Sequence, residues 1–320
     1  MRTAKLASIG DVSRLTLGGG IGQIWGEVTH EEALATIHAA VDAGITLLDC
    51  APMYRNAEAF LGEAFSGAPP AHLRFTTKCQ LGSPDPRDAA AALEASLSAS
   101  LAALRLPRVD VFFLHSNLHL DGFTYAFGDA AKDRFSTALS IYENEVVATM
   151  EALKASGRIG AWGITGIGVP TAVLAAMERS KPDVVQVIAN LMDSPGALKR
   201  YAEPARPREI AAAAKAKGLG VMGIRAVQAG ALTAAVDRAL SANNPDHLDY
   251  ERAAPFRALC ARWGQDPAYV AHRYALSLAD FDTVVLGVKN RAELAMCVQA
   301  EADGPFSAAE MAEIDGLGLV

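Results

Sequence analysis

A helix that stops at a glycine, followed at once by a short apolar strand, is the feature that most restricts this chain. Gly44 precedes the run 45–49, Gly157 precedes 159–164 and Gly218 precedes 219–224. Glycine just past a helix supplies the left-handed backbone conformation that ends it. Further apolar runs at 15–17, 75–78, 109–115, 184–188 and 283–286 complete a set of eight strands. Between them lie helical stripes such as Leu34, Ile37 and Val41, and Leu93, Leu97, Leu101 and Leu104. Strands that alternate with helices pair in parallel, because each crossover returns the chain to the same edge. Eight such units in 320 residues predict one domain over 1–320, a closed (β/α)8 TIM barrel rather than an open doubly wound sheet.

The remaining segments are placed around that barrel. Residues 5–17, with Ile9-Gly10-Asp11 at a turn, read as a short N-terminal hairpin leading into the first strand. Gly18-Gly19-Gly20 opens a loop that holds Trp25 and suits close backbone approach to a ligand. No Lys-Ser/Thr follows it as in a phosphate loop, and its spacing is not GxGxxG. Thr29-His30-Glu31-Glu32 reads as a capping box, with Glu32 reaching back to the Thr29 amide. Two long irregular stretches, 116–141 after strand four and 227–248 after strand seven, would rise from the rim where barrels bind their substrates.

Charge narrows the partners. With 29 basic against 36 acidic residues the net charge is -7, which disfavours nucleic acid and anionic membranes. There is no apolar run long enough to span a bilayer, so a cytoplasmic location is expected. Cys50, Cys79, Cys260 and Cys297 form no CxxC pair and read as buried thiols. His115 and His119 lack a third ligand, so no metal site is expected.

The chemistry sits at three consecutive strand ends. Asp49 closes the second strand, Lys78 the third and His115 the fourth, with Tyr54 on the loop just beyond Asp49. An inward carboxylate on a buried strand needs a positive partner, and Lys78 is in reach. An ammonium beside a phenol draws its pKa down from about 10, which suits proton transfer at a carbonyl or alcohol oxygen. His115 can orient that oxygen. None of these side chains carries a hydride, so redox chemistry requires a cofactor.

This set resembles the aldo-keto reductase superfamily. The likeness runs through Asp42-Ala43-Gly44-Ile45-Thr46, Asp49-x-Ala51-Pro52-x-Tyr54, Ala57-Glu58-x-x-Leu61-Gly62-Glu63-Ala64, Thr77-Lys78, residues 109–115, Leu153-x-x-x-Gly157-Arg158-Ile159 and Gly287-Val288-Lys289-Asn290. The resemblance implies Tyr54 as proton donor or acceptor, Lys78 and Asp49 as its tuning pair and His115 as the orienting group. It also implies a nicotinamide dinucleotide, NADP(H) by family habit and NAD(H) as the alternative. Gln186 matches the glutamine that meets the nicotinamide amide; Gly287, Lys289 and Asn290 match the phosphate and adenosine site. Several positions depart from the pattern. Thr165-Gly166 replaces Ser-Asn, and Ile224 followed by Arg225 replaces the aromatic beneath the nicotinamide. Glu293 and Cys297 replace Arg or Gln and Asn. A carboxylate at Glu293 would repel a 2′-phosphate and accept a bond from a free 2′-hydroxyl, whereas Lys289 and Arg291 favour the phosphate. Trp25, Phe123, Tyr125 and Phe127 are candidates for a substrate pocket. The expected activity is interconversion of aldehydes or ketones with alcohols. The alternatives are an aldose or lactol dehydrogenase working oxidatively, or a slow dinucleotide-sensing interaction module.

Overall fold

The computed structural model describes residues 1–22, 28–125 and 129–320. Eight strands close into a barrel: β1 (Leu15–Leu17), β2 (Leu47–Asp49), β3 (Arg74–Cys79), β4 (Val109–Leu114), β5 (Ile159–Thr165), β6 (Val184–Ile188), β7 (Gly220–Ile224) and β8 (Thr283–Leu286). Every neighbouring pair is parallel, and β8 returns to lie beside β1. The expected barrel is present. The glycines at the helix–strand junctions have the required backbone: φ is +88° at Gly44, +77° at Gly157 and +76° at Gly218.

Strand alternation divides the core into two layers. Leu47, Val111, Phe113, Ala161, Val184 and Met222 fill the barrel interior. Their outward-facing neighbours, among them Leu48, Phe112, Leu114, Ile164 and Val185, pack under the surrounding helices. The N-terminal hairpin, Thr3–Lys5 paired antiparallel with Asp11–Ser13, adds Leu6 and Val12 to the interior layer and seals its floor. Contact there is tight enough that a Cβ at Gly220 would come 2.7 Å from Leu6 Cδ1.

The seam between the last strand and the first is pinned by polar bonds. The hydroxyls of Thr16 and Thr283 lie 2.7 Å apart. The Arg14 guanidinium donates to the carbonyls of Leu276, Phe281 and Asp282.

The long segment 116–141 is more ordered than its composition suggests. It holds strands Asn117–His119 and Ser136–Ala138, paired with each other, and the helix Asp129–Phe135. The stretch after β7 contains one short helical turn, Gln228–Gly230, before the helix Pro245–Arg252. Glu32 also departs from expectation. Thr29 caps the helix His30–Asp42 by accepting from the Glu32 amide, but the Glu32 carboxylate turns away to Arg291, a stronger donor than a backbone N–H. Among the described residues no helix is long and apolar enough to cross a membrane.

Leu6→Ala should cost about 2–5 kcal/mol of stability, the usual range for emptying a fully packed leucine site. An unfolding free energy from urea titration within about 0.5 kcal/mol of the parent would show that the hairpin is not part of the core.

Candidate active site

Asp49 ends β2 on the same face as Leu47, so its carboxylate enters the barrel mouth from inside, only 2 % exposed. Three donors meet it there. Lys78 Nζ lies 2.6 Å from Oδ2, while Thr76 Oγ1 and Gln186 Nε2 donate to Oδ1 at 2.5 and 2.7 Å. Lys78 is itself fully buried and donates a second bond to the Cys50 carbonyl at 3.0 Å. Every lone pair and proton of a buried ion pair needs such partners, since burial removes the water that would supply them. Burial alone would drive the Lys78 ammonium to lose its proton. The Asp49 carboxylate more than reverses that, so the Lys78 ammonium holds its proton beyond the ordinary lysine range.

Tyr54 stands over this pair. It closes the short turn Pro52–Tyr54, and the Lys78 ammonium lies 4.5 Å from the centre of its ring. The triple-glycine loop encloses it from the other side. A Cβ at Gly19 would fall 2.1 Å from Tyr54 Cδ2, and one at Gly22 would fall 2.0 Å from the Tyr54 carbonyl oxygen. Of the three glycines expected to approach a ligand, Gly19 backs onto Tyr54, while Gly18 and Gly20 back onto the carbonyls of Leu286 and of Gly287 and Val288.

His115, the first residue after β4, completes the group. Its Nε2 is 3.5 Å from the Tyr54 hydroxyl, and the two rings meet edge-on at 5.6 Å. Nδ1 is buried without a hydrogen-bond partner. Burial, with the Lys78 charge adding to it, lowers the imidazole pKa to about 3, so the ring is neutral at neutral pH. The phenol differs from expectation. Burial pushes the Tyr54 pKa above its ordinary value, and the Lys78 charge offsets that only in part.

The expected cofactor residues line the same rim. Thr165 ends β5, and its hydroxyl donates to the Leu114 carbonyl at 3.0 Å, which leaves its lone pairs. Gln186 commits its Nε2 to Asp49, leaving the amide oxygen. Ile224 ends β7, partly exposed. Arg225 follows with φ +60°, its guanidinium bonded to Gln228 and Asp246 at 2.9 Å each. Beside Gly287 the space a Cβ would take is open. Beyond it, Asn290 caps the helix Arg291–Ala302, with Lys289, Arg291 and Glu293 around that N-terminus. Donors, an apolar floor and open backbone suit a dinucleotide.

Phe123 and Tyr125 pack edge-on against each other, 5.7 Å apart, and both contact the ring of His119. The Tyr125 hydroxyl bonds Ser136, so it serves the loop's own structure. Trp25 and Phe127 lie outside the described residues. Among the described residues no group of side chains could hold a metal ion. One contributor was missed in the sequence. Thr76, whose hydroxyl donates to Asp49, shares a strand face with Lys78, a signal that alternation carried.

The model of the aldo/keto reductase family matches residues 14–318. The chain belongs to that family. It is an oxidoreductase of the NAD(P)(H)-dependent aldo-keto reductase type. It is similar to an L-galactose dehydrogenase of Arabidopsis thaliana, 23% identical over 93% of this chain and 84% of the relative. Among solved structures, the glycerol dehydrogenase of Gluconobacter oxydans superposes with a TM-score of 0.72 at 20% identity, covering 98% of this chain and 94% of that one. The holo form of an aldo-keto reductase from Bacillus halodurans superposes with 0.74 at 21% identity, covering 99% and 96%.

Asp49→Asn should leave the buried ammonium without its counter-charge and cost about 3–5 kcal/mol, measured by urea unfolding. A loss under about 1 kcal/mol, the worth of a surface pair, contradicts the buried pairing. The pH limb follows from His115. Because its pKa is about 3 in the fold against an ordinary 6.5, the unfolded chain binds the extra proton between those values. Its contribution to stability is complete above the ordinary value and is lost as pH falls towards the lower one. His115→Asn should therefore flatten the acid side of the stability–pH curve, and an unchanged acid limb would refute the assignment.

Proposed function

We propose that this enzyme interconverts aldehydes or ketones and alcohols, with Tyr54 passing the proton to or from the substrate oxygen. The observation that carries this reading is a neutral imidazole meeting edge-on a phenol that stands over a buried, fully bonded Asp49–Lys78 pair. A nicotinamide dinucleotide, when bound, supplies or accepts the hydride. Thr165, the free amide oxygen of Gln186 and the apolar surface of Ile224 would hold its nicotinamide end. Arg225 would support the middle through its own network, and Gly287, Lys289 and Asn290, with Arg291 and Glu293, would meet the adenosine end.

The residues divide the remaining work. Burial keeps the phenol protonated but makes it a weaker acid, and the adjacent ammonium opposes that by stabilising the phenolate formed when the proton leaves. His115 presents Nε2 beside the same oxygen. With Nδ1 shut away from any acceptor, the tautomer that protonates Nε2 avoids a buried orphan N–H, and it donates to the substrate. Two donors then converge on one oxygen, which orients the carbonyl. Phe123 and the chain around it contribute to the substrate side of the mouth.

A second reading favours the oxidative direction on sugars or polyols. It draws on the likeness to the L-galactose and glycerol dehydrogenases. In that direction Tyr54 receives the alcohol proton.

Tyr54→Phe should reduce turnover by about 10²–10⁴-fold while cofactor affinity stays near the parent value, the range expected when a general acid is removed. Steady-state kinetics in both directions on a panel of aldehydes, aldoses and polyols make the measurement. Parent-like rates in Tyr54→Phe would remove the proton-transfer role.

A further inference from the structure

The adenosine end proposed above sits at the N-terminus of the helix Arg291–Ala302. Exposed backbone donors and the helix dipole make such a position attractive to an external anion. Here the chain's own acceptors have taken several of the donors. The Glu293 amide donates to the Asn290 side chain at 2.9 Å, and the Lys289 amide donates to Glu293 Oε2 at 2.9 Å. The Arg291 amide donates to Glu32 Oε1 at 2.9 Å, and its guanidinium reaches the same carboxylate at 2.8 Å. The Lys289 ammonium lies 2.6 Å from Asp237 and 3.4 Å from Glu293. Arg238 shares Asp237, at 3.1 Å.

Each cation that would recognise a phosphate is thus held by a carboxylate from a different part of the chain. Glu32 comes from the first barrel helix, Asp237 from the segment after β7, and Glu293 from the helix itself. A phosphomonoester arriving there carries nearly two negative charges and must displace these carboxylates before it gains any donor. A ribose hydroxyl faces no such obstacle. It can donate to a carboxylate that already stands in place, adding a charge-assisted bond.

We infer that Glu32, Glu293 and Asp237 select a dinucleotide whose adenosine ribose carries a free 2′-hydroxyl, so that the enzyme prefers NAD(H) to NADP(H). The preference is the reverse of the family habit, and the inference rests on the proposed placement of the adenosine end.

The test is direct calorimetric titration of the full-length chain with NADH and with NADPH, independent of any substrate. NADH should bind at least about tenfold more tightly, the effect of one well-placed charged contact. Glu293→Gln combined with Glu32→Gln keeps the side-chain shapes and amide acceptors but removes two charges. That variant should tighten NADPH by about tenfold or more and weaken NADH by several-fold, since the ribose hydroxyl loses its charged acceptors. Competition by adenosine 5′-monophosphate against adenosine 2′,5′-bisphosphate on the unaltered protein gives the same contrast without relying on the variant's folding. Equal or tighter binding of NADPH to the unaltered protein overturns the selection but leaves the dinucleotide reading intact. Binding of neither dinucleotide overturns both.

Discussion

The bond between Lys78 and Asp49 is the constraint around which the mouth of this barrel is arranged. Two opposite charges, both essentially without solvent, are tolerable only if the remaining lone pairs and protons find partners. That requirement explains why Thr76, Gln186 and the Cys50 carbonyl converge on them, drawing β2, β3 and β6 into a fixed register at their upper ends. A rigid ammonium, unable to swing away, gives the phenol above it a permanent electrostatic environment. Preorganisation of that kind is worth more than a flexible surface lysine could offer, since no reorientation is needed when charge moves.

The residues nearest the chemistry are also the least free to vary in size. Tyr54 is confined by the backbone at Gly19 and Gly22, where even a methyl group would overlap it. Gly20 is equally close to the carbonyls of Gly287 and Val288 after β8. The short glycine-rich run 18–22 thereby packs Tyr54 against one side of the rim and the last strand's loop against the other. Displacement of that run would be felt at both.

Much of this was legible in the sequence because barrels repeat. The glycine-terminated helices, the apolar runs and the ionisable residues at successive strand ends follow from periodicity and turn chemistry, and the structure places them as the pattern implies. What could not be read is what side chains choose when several partners compete. Glu32 has a local amide within a capping pattern, yet it binds Arg291, which only the closing of the barrel brings near. Gln186 faces the rim in sequence logic, but a buried carboxylate claims its amide first. The phenol's acidity is a similar case: proximity to Lys78 was evident, whereas the larger opposing effect of burial depends on the packed surroundings. Asp129–Phe135 shows the same limit for local structure, since its helix lies inside a stretch whose composition suggests only loop.

The seam has a consequence for how the molecule is made. Arg14 and Thr16 find their partners at Leu276, Phe281, Asp282 and Thr283, so the joint depends on residues that are made long after β1 itself. Until they emerge, β1 and β7 present unpaired edges, and an incomplete sheet of that kind recruits stray strands from other molecules. Closure therefore joins segments of high sequence separation, and the ring stays open until β8 has taken its place between β7 and β1.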